Sequence, residues 1–113
     1  NLALGYSGRE QILDGVKEVV NKVLNKEIEI DEINSTLLSD VLDQNVKLGD
    51  PDLLIRTGGE LRVSDFLLWQ IAYTEIYFSD KYWPDFNEEE YMKVISNFRC
   101  TERRFGKISE QIN

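Results

Sequence analysis

The chain has no histidine, one cysteine and two prolines among its 113 residues. Without histidine it can build neither a His-based zinc site nor a nucleophilic triad with an imidazole base. Its lone cysteine, Cys100, cannot close an internal disulfide, so a reducing compartment, the cytoplasm, is the default expectation. No apolar run approaches the roughly 20 residues that a bilayer-spanning helix needs, and no segment reads as a signal peptide. Positive charge is also scarce. The 13 Lys and Arg are outnumbered by 21 Asp and Glu, and the net charge of −8 argues against a nucleic-acid partner.

What is present is enough for one domain. A globular chain of this size buries roughly two thirds of its unfolded surface. An apolar fraction of 42% makes disorder an unlikely state for it. The acidic balance does not exclude a local anion site, because exposed charges are largely screened beyond about 8–10 Å in physiological salt.

The stretch Asp52 to Glu75 organises the rest. Leu53, Leu54 and Ile55, bounded by Pro51 and by Gly58-Gly59, read as a short strand buried on both faces. The chain then turns polar, with Arg56, Thr57, Glu60, Arg62 and Ser64. In open parallel α/β sheets, ligands bind beyond the carboxyl ends of the strands. Paired glycines let backbone N–H groups approach a ligand, and Arg56 and Arg62 offer planar forks that suit phosphate oxygens. Ser64 precedes an apolar segment and can cap a helix there. Two readings fit these residues: a phosphate or diphosphate cradle, or surface salt bridges beside a plain turn.

Around this stretch the pattern alternates. Leu2 to Tyr6 reads as a strand. Ser7 and Glu10 fit a capping box for a helix to about Asn25, whose stripe is Ile12, Leu13, Val16, Val19, Val20, Val23 and Leu24. Gly15 is expected to weaken that helix. Lys26 to Ile30 is a charged connector with some strand character. Asp31 can cap a second helix bearing Ile33, Leu37, Leu38, Val41 and Leu42, and Asn45 to Pro51 is a loop. Phe66 to Ile71 reads as a short, deeply packed helix, with Phe66 and Trp69 as core rather than a stacking platform. Thr74 to Ser79 reads as a strand. Asn87 and Glu90 form a second capping-box pattern, and the helix that follows directs Tyr91, Met92, Ile95 and Phe98 inward. The order implies α/β architecture, a largely parallel sheet flanked by helices.

Several of these segments together resemble the cis-prenyltransferases, the family of undecaprenyl and dehydrodolichyl diphosphate synthases. The residues that carry the resemblance are Asp52-Leu-Leu-Ile-Arg-Thr-Gly-Gly-Glu60, Arg62-Val63-Ser64, Phe66-Leu-Leu-Trp-Gln70, Glu75-Ile-Tyr-Phe78, Trp83-Pro-Asp-Phe86 and Glu102-Arg-Arg-Phe-Gly106. The opening Ala3 to Glu10 resembles the family's Asn-Tyr-Gly-Gly-Arg-x-Glu region. The resemblance covers nearly the whole chain, with its motifs in family order.

It implies an enzyme that condenses isopentenyl diphosphate onto an allylic diphosphate with a new cis double bond, using magnesium. Arg56, Arg62 and Ser64 match positions that hold the diphosphate of isopentenyl diphosphate, and Val63 contributes backbone at most. Glu75 matches the metal-site glutamate; on the residues alone it would be a solvated carboxylate. Arg104 and Gly106 match an Arg-x-Gly motif that reaches across a homodimer. Glu60 is expected to orient Arg56 or the turn amides, and Arg9 to form a surface ion pair, although the family places it near the active site. Peripheral membrane contact through the lipid product is implied as well.

Three departures stand out. Ser7 replaces a glycine, Asp65 stands where many members have asparagine, and Thr101 replaces an arginine. Asp65 either brings negative charge near the diphosphate or caps the helix after it. The family's catalytic aspartate lies in an Asp-Gly-Asn-Gly-Arg loop that this sequence does not contain. The sequence opens on Asn1, in what reads as a mid-domain strand. The expectation is therefore the C-terminal portion of a single cis-prenyltransferase domain over 1–113, with no catalytic residue of its own. A non-catalytic subunit of a heteromeric enzyme, a small phosphate-binding module and a structural dimerisation domain remain as alternatives.

Overall fold

The computed structural model describes residues 1–43 and 49–101. The expected loop at Asn45 to Pro51 lies partly outside these residues, and the Arg104 to Gly106 motif wholly so. The element order is α1 (Gly8–Leu24), a 3-10 turn (Ile30–Glu32), α2 (Ser35–Asp43), β1 (Leu53–Arg56), β2 (Glu75–Phe78), a 3-10 turn (Trp83–Asp85) and α3 (Glu88–Cys100). These group into two compact units. One holds Asn1–Pro51 with Val63–Ala72, and the other Asp52–Arg62 with the residues from Tyr73 onward.

In the first unit, α1 begins where the capping pattern places it. Ser7 is extended, and its Oγ accepts from the Glu10 amide at 3.2 Å. The helix packs on α2 through Val19, Val41 and Leu42, all buried. Gly15 is part of this contact rather than a weakness, because a Cβ there would lie 2.6 Å from Leu42 Cδ2. Of the rest of the expected stripe, Ile12 and Val23 are half-buried, and Leu13, Val16, Val20 and Leu24 are exposed.

Three expectations in this unit are corrected. Leu2 to Tyr6 forms no strand, since no strand among the described residues pairs with it and unpaired extended backbone has no ladder. Asp31 caps no helix. Glu29 and Glu32 exchange side-chain and backbone bonds that close a single 3-10 turn, and α2 starts later, with Asn34 Oδ1 accepting from the Leu37 amide at 3.0 Å. Phe66 to Ile71 is a set of turns rather than a helix. Ser64, Asp65 and Leu67 have φ of 49°, 63° and 47°, left-handed values that a right-handed helix cannot contain.

In the second unit, β1 and β2 run parallel, pairing Leu53 with Glu75 and Arg56 with Phe78. Every residue of both strands is half-buried rather than enclosed on both faces, since among the described residues each strand has one neighbour only. Helix α3 starts at Asn87, whose Oδ1 accepts from the Glu90 amide at 3.0 Å. Its inward residue is Val94, 1% exposed, with Ile95 and Phe98 half-buried; Tyr91 and Met92 face outward. Lys26 to Ile30 forms no strand.

Candidate functional site

Strand β1 ends on Arg56, and the chain turns at once through Gly58 and Gly59, with φ of 94° and 75°. A Cβ on Gly58 would meet nothing within 4 Å. The glycine there serves backbone conformation, which other residues adopt only with strain. The amides of the pair do not face outward as expected. Gly58 N–H donates to the Lys81 carbonyl at 2.8 Å and Gly59 N–H to the Ser79 carbonyl at 2.9 Å. These bonds, with Ser79 N–H donating to the Arg56 carbonyl at 2.7 Å, pin the turn to the segment after β2. The Gly58 and Gly59 amides are thus committed to backbone partners, and the polar groups left at this turn to consider are side chains.

Those side chains converge. Arg56 Nη2 donates to Glu60 Oε2 at 2.6 Å, Arg62 Nε donates to the same oxygen at 3.0 Å, and Arg62 Nη2 bonds Glu60 Oε1. The Arg56 side chain is 22% exposed, whereas Glu60 and Arg62 stand well into solvent. Glu60 thus orients both arginines, one more than the sequence suggested. Glu60 thereby gathers the planar donors of two guanidinium forks in one place. That donor set suits a multiply charged oxyanion such as a diphosphate.

Glu75 opens β2, half-buried. The Thr101 hydroxyl lies 3.1 Å from Glu75 Oε1 and 3.2 Å from the Asn97 carbonyl, and its one proton serves either. Register separates Glu75 from the arginine pair. It sits opposite Leu53, three residues before Arg56, or about 10 Å along the strands. Among the described residues no three His, Cys, Asp or Glu side chains cluster as a metal cage. Glu75 can offer a cation one hard oxygen ligand, with water and phosphate completing the shell.

Val63 and Ser64 belong to the first unit. Val63 accepts at its carbonyl from the Phe66 amide at 3.2 Å, and Ser64 is exposed on the left-handed turn. Asp65 caps no helix after it; its carboxylate turns back to the start of α1. Asp65 Oδ2 accepts from Ser7 Oγ at 2.6 Å and Oδ1 from the Arg9 amide at 3.0 Å. Arg9 is engaged through its backbone, and its guanidinium makes no ion pair among the described residues.

Gln11, singled out by no pattern in the sequence, and Gln70, the last residue of the Phe66-Leu-Leu-Trp-Gln70 segment, tie this unit together. Gln11 Oε1 accepts from the Tyr6 hydroxyl at 2.6 Å and from Gln70 Nε2 at 3.3 Å, while Gln11 Nε2 donates to the Leu42 carbonyl at 3.1 Å. The only signal was Gln70 itself, an amide inside the apolar run Phe66 to Ala72. Burial raises the Tyr6 phenol above its ordinary value; a Leu67 backbone hydrogen bond opposes this, and the Asp65 charge adds to it. Tyr6 also meets the edge of Phe66, ring centres 5.5 Å apart, and Trp69 Nε1 donates to Ser39 Oγ at 2.8 Å. Trp69 is half-buried and Phe66 exposed, so neither is the deeply packed core residue expected, although both make contacts within the unit.

The undecaprenyl diphosphate synthase family profile of the prenyltransferases matches residues 1–106, so the chain belongs to that family. It is 47% identical over 108 residues to a tritrans,polycis-undecaprenyl-diphosphate synthase (geranylgeranyl-diphosphate specific) of Thermoplasma volcanium, covering 95% of this chain and 41% of the relative. It is 48% identical over 111 residues to an isoprenyl transferase of Porphyromonas gingivalis, covering 98% and 43% respectively. Among solved structures it is similar to lavandulyl diphosphate synthase from Lavandula x intermedia, crystallised with dimethylallyl diphosphate. The TM-score is 0.88 at 38% identity, over 94% of this chain and 45% of that one. The chain spans less than half the length of these relatives.

Proposed function

We propose that this chain supplies the isopentenyl diphosphate half-site of a cis-prenyltransferase. The reaction joins isopentenyl diphosphate to an allylic diphosphate and forms a cis double bond, as in undecaprenyl diphosphate synthesis. The observation that carries this reading is the convergence of Arg56 and Arg62 on Glu60 in a chain of this family. A diphosphate offers the same planar pairs of oxygen acceptors as the carboxylate, with more charge and more acceptors. It therefore competes for both guanidinium groups, and Glu60 keeps them aligned while no ligand is bound.

The remaining roles carry over residue by residue. Ser64 donates its hydroxyl to the diphosphate, and Val63 contributes backbone. Glu75 supplies one ligand to Mg2+, and the magnesium ion, when bound, neutralises charge developing on the diphosphate leaving group. Arg104 and Gly106 serve the partner's site in a homodimer. Residues 1–113 are the C-terminal portion of one domain, with the catalytic aspartate outside them. The enzyme works in the cytoplasm and touches the membrane through its lipid product.

Calorimetric titration with isopentenyl diphosphate, with and without Mg2+, tests the central claim. Each charge-assisted hydrogen bond is worth about 1.5–3 kcal/mol, so Arg56→Ala should weaken binding by about tenfold or more. Binding that survives Arg56→Ala, or equal binding of inorganic phosphate, would overturn the half-site. No binding to a folded chain would overturn it for residues 1–113 acting alone.

A further inference from the structure

Two of the chain's departures from the family pattern, Ser7 and Asp65, lie 58 positions apart in sequence and touch in the structure. We propose that Asp65 is a positioning residue that locks the Ser64 turn onto the first turn of α1, with Ser7 as its partner. The inference rests on the reading of Ser64 as a diphosphate donor.

Asp65 makes three bonds to three consecutive residues. Its Oδ2 accepts from Ser7 Oγ at 2.6 Å, its backbone carbonyl from Gly8 N–H at 2.7 Å, and its Oδ1 from Arg9 N–H at 3.0 Å. The Ser7 hydroxyl is itself oriented, since its oxygen accepts from the Glu10 amide at 3.2 Å while its proton goes to Asp65. The turn needs such a hold. Ser64 and Asp65 both have left-handed φ, 49° and 63°, which side chains other than Asn and Asp seldom adopt. Conformations of this kind persist where surrounding bonds over-determine them. A carboxylate at a helix N-terminus is also electrostatically favoured, which strengthens the hold on Arg9 N–H.

The chemistry explains why the two departures belong together. An asparagine side chain has one acceptor oxygen and cannot accept through two separate atoms from Ser7 and Arg9. A glycine at position 7 would leave Asp65 Oδ2 without its donor. A carboxylate at 65 and a hydroxyl at 7 complete each other, and the residue whose backbone they fix is Ser64. The charge of Asp65 is thereby committed to α1.

The test uses Asp65→Ala, Asp65→Asn, Ser64→Ala and the Ser64→Ala/Asp65→Ala double variant. Two readouts are taken: amide exchange by NMR, and titration with isopentenyl diphosphate. Asp65→Ala should speed exchange about tenfold at Arg9, and also at Phe66, whose amide closes the turn on Val63. Affinity should fall several-fold in the parent and not at all further in the Ser64→Ala background. Asp65→Asn should recover part of both effects and stands in if the alanine variant does not fold. Unchanged exchange at Phe66 overturns the lock. An equal affinity loss with and without the Ser64 hydroxyl overturns the route through Ser64. If Ser64→Ala alone binds like the parent, the functional reading of Ser64 fails and Asp65's part in binding fails with it, while exchange at Phe66 still decides whether Asp65 holds the turn.

Discussion

Gly8 and Gly15 show how one residue type answers to two different constraints on the same helix. A Cβ on Gly8 would lie 2.9 Å from Leu68 Cγ, 3.0 Å from the Asp65 carbonyl oxygen and 3.2 Å from the Leu68 amide. Two of those three atoms are backbone and can move only with the turn. A Cβ on Gly15 meets the δ-methyl end of Leu42, which a small side-chain rotation can relieve. Alanine gains up to about 1 kcal/mol in helix propensity over glycine, and forced overpacking costs about 1–3 kcal/mol. Gly8→Ala should therefore lose about 1–2 kcal/mol, and Gly15→Ala should change stability by less than about 1 kcal/mol. Urea midpoints of the two variants decide it, and a Gly8→Ala chain as stable as the parent would show that α1 does not start against the Asp65 carbonyl. Neither constraint was visible in the sequence, because each is set by an atom from a distant segment.

Elements were legible where local chemistry is self-contained. Ser7 and Asn87 each cap a helix with their own side chain, and a helix follows each cap, although much of the expected apolar stripe faces outward. Legibility failed where an element depends on its neighbours. The run from Phe66 to Ile71 is apolar enough for a buried helix, but left-handed Leu67 within it, and Ser64 and Asp65 just before it, leave turns instead. Leu53 to Ile55 is apolar enough for a central strand, but among the described residues its sheet has two members. The capping box at α3 was half right for the same reason: Asn87 bonds the Glu90 amide, while the Glu90 carboxylate goes to Lys93 at 3.0 Å and Lys81 at 3.1 Å. Those two lysines, Lys93 foremost, hold Glu90 below the usual carboxylate range. A carboxyl whose folded value is lowered stabilises the fold above its ordinary value of 4.5, and that contribution is lost as pH falls through the folded value. Glu90→Gln should be less stable than the parent at pH 7, and the difference should shrink as pH falls below 4.5. A difference that persists unchanged at pH 3 would mean that the ion pairs are not its source.

For the molecule as a whole, the parts of the proposed reaction centre do not meet in one place. The arginine pair stands at the carboxyl end of β1, and Glu75 at the amino end of β2, because parallel pairing sets Glu75 against Leu53 and Phe78 against Arg56. A net charge of −8 gives no general attraction for a second diphosphate, so binding depends on direct contacts. The described residues provide one such cluster and no acidic cage for a metal. Ionising an allylic diphosphate requires donors and a cation aimed at the same leaving group at the same moment. A single donor cluster meets the requirement for binding isopentenyl diphosphate but not for that step. The chain should therefore bind isopentenyl diphosphate and yet make no longer product from farnesyl diphosphate, labelled isopentenyl diphosphate and Mg2+. Label in the organic-extractable fraction measures this. Sustained extension by residues 1–113 would place a complete catalytic centre within them and overturn the half-site assignment.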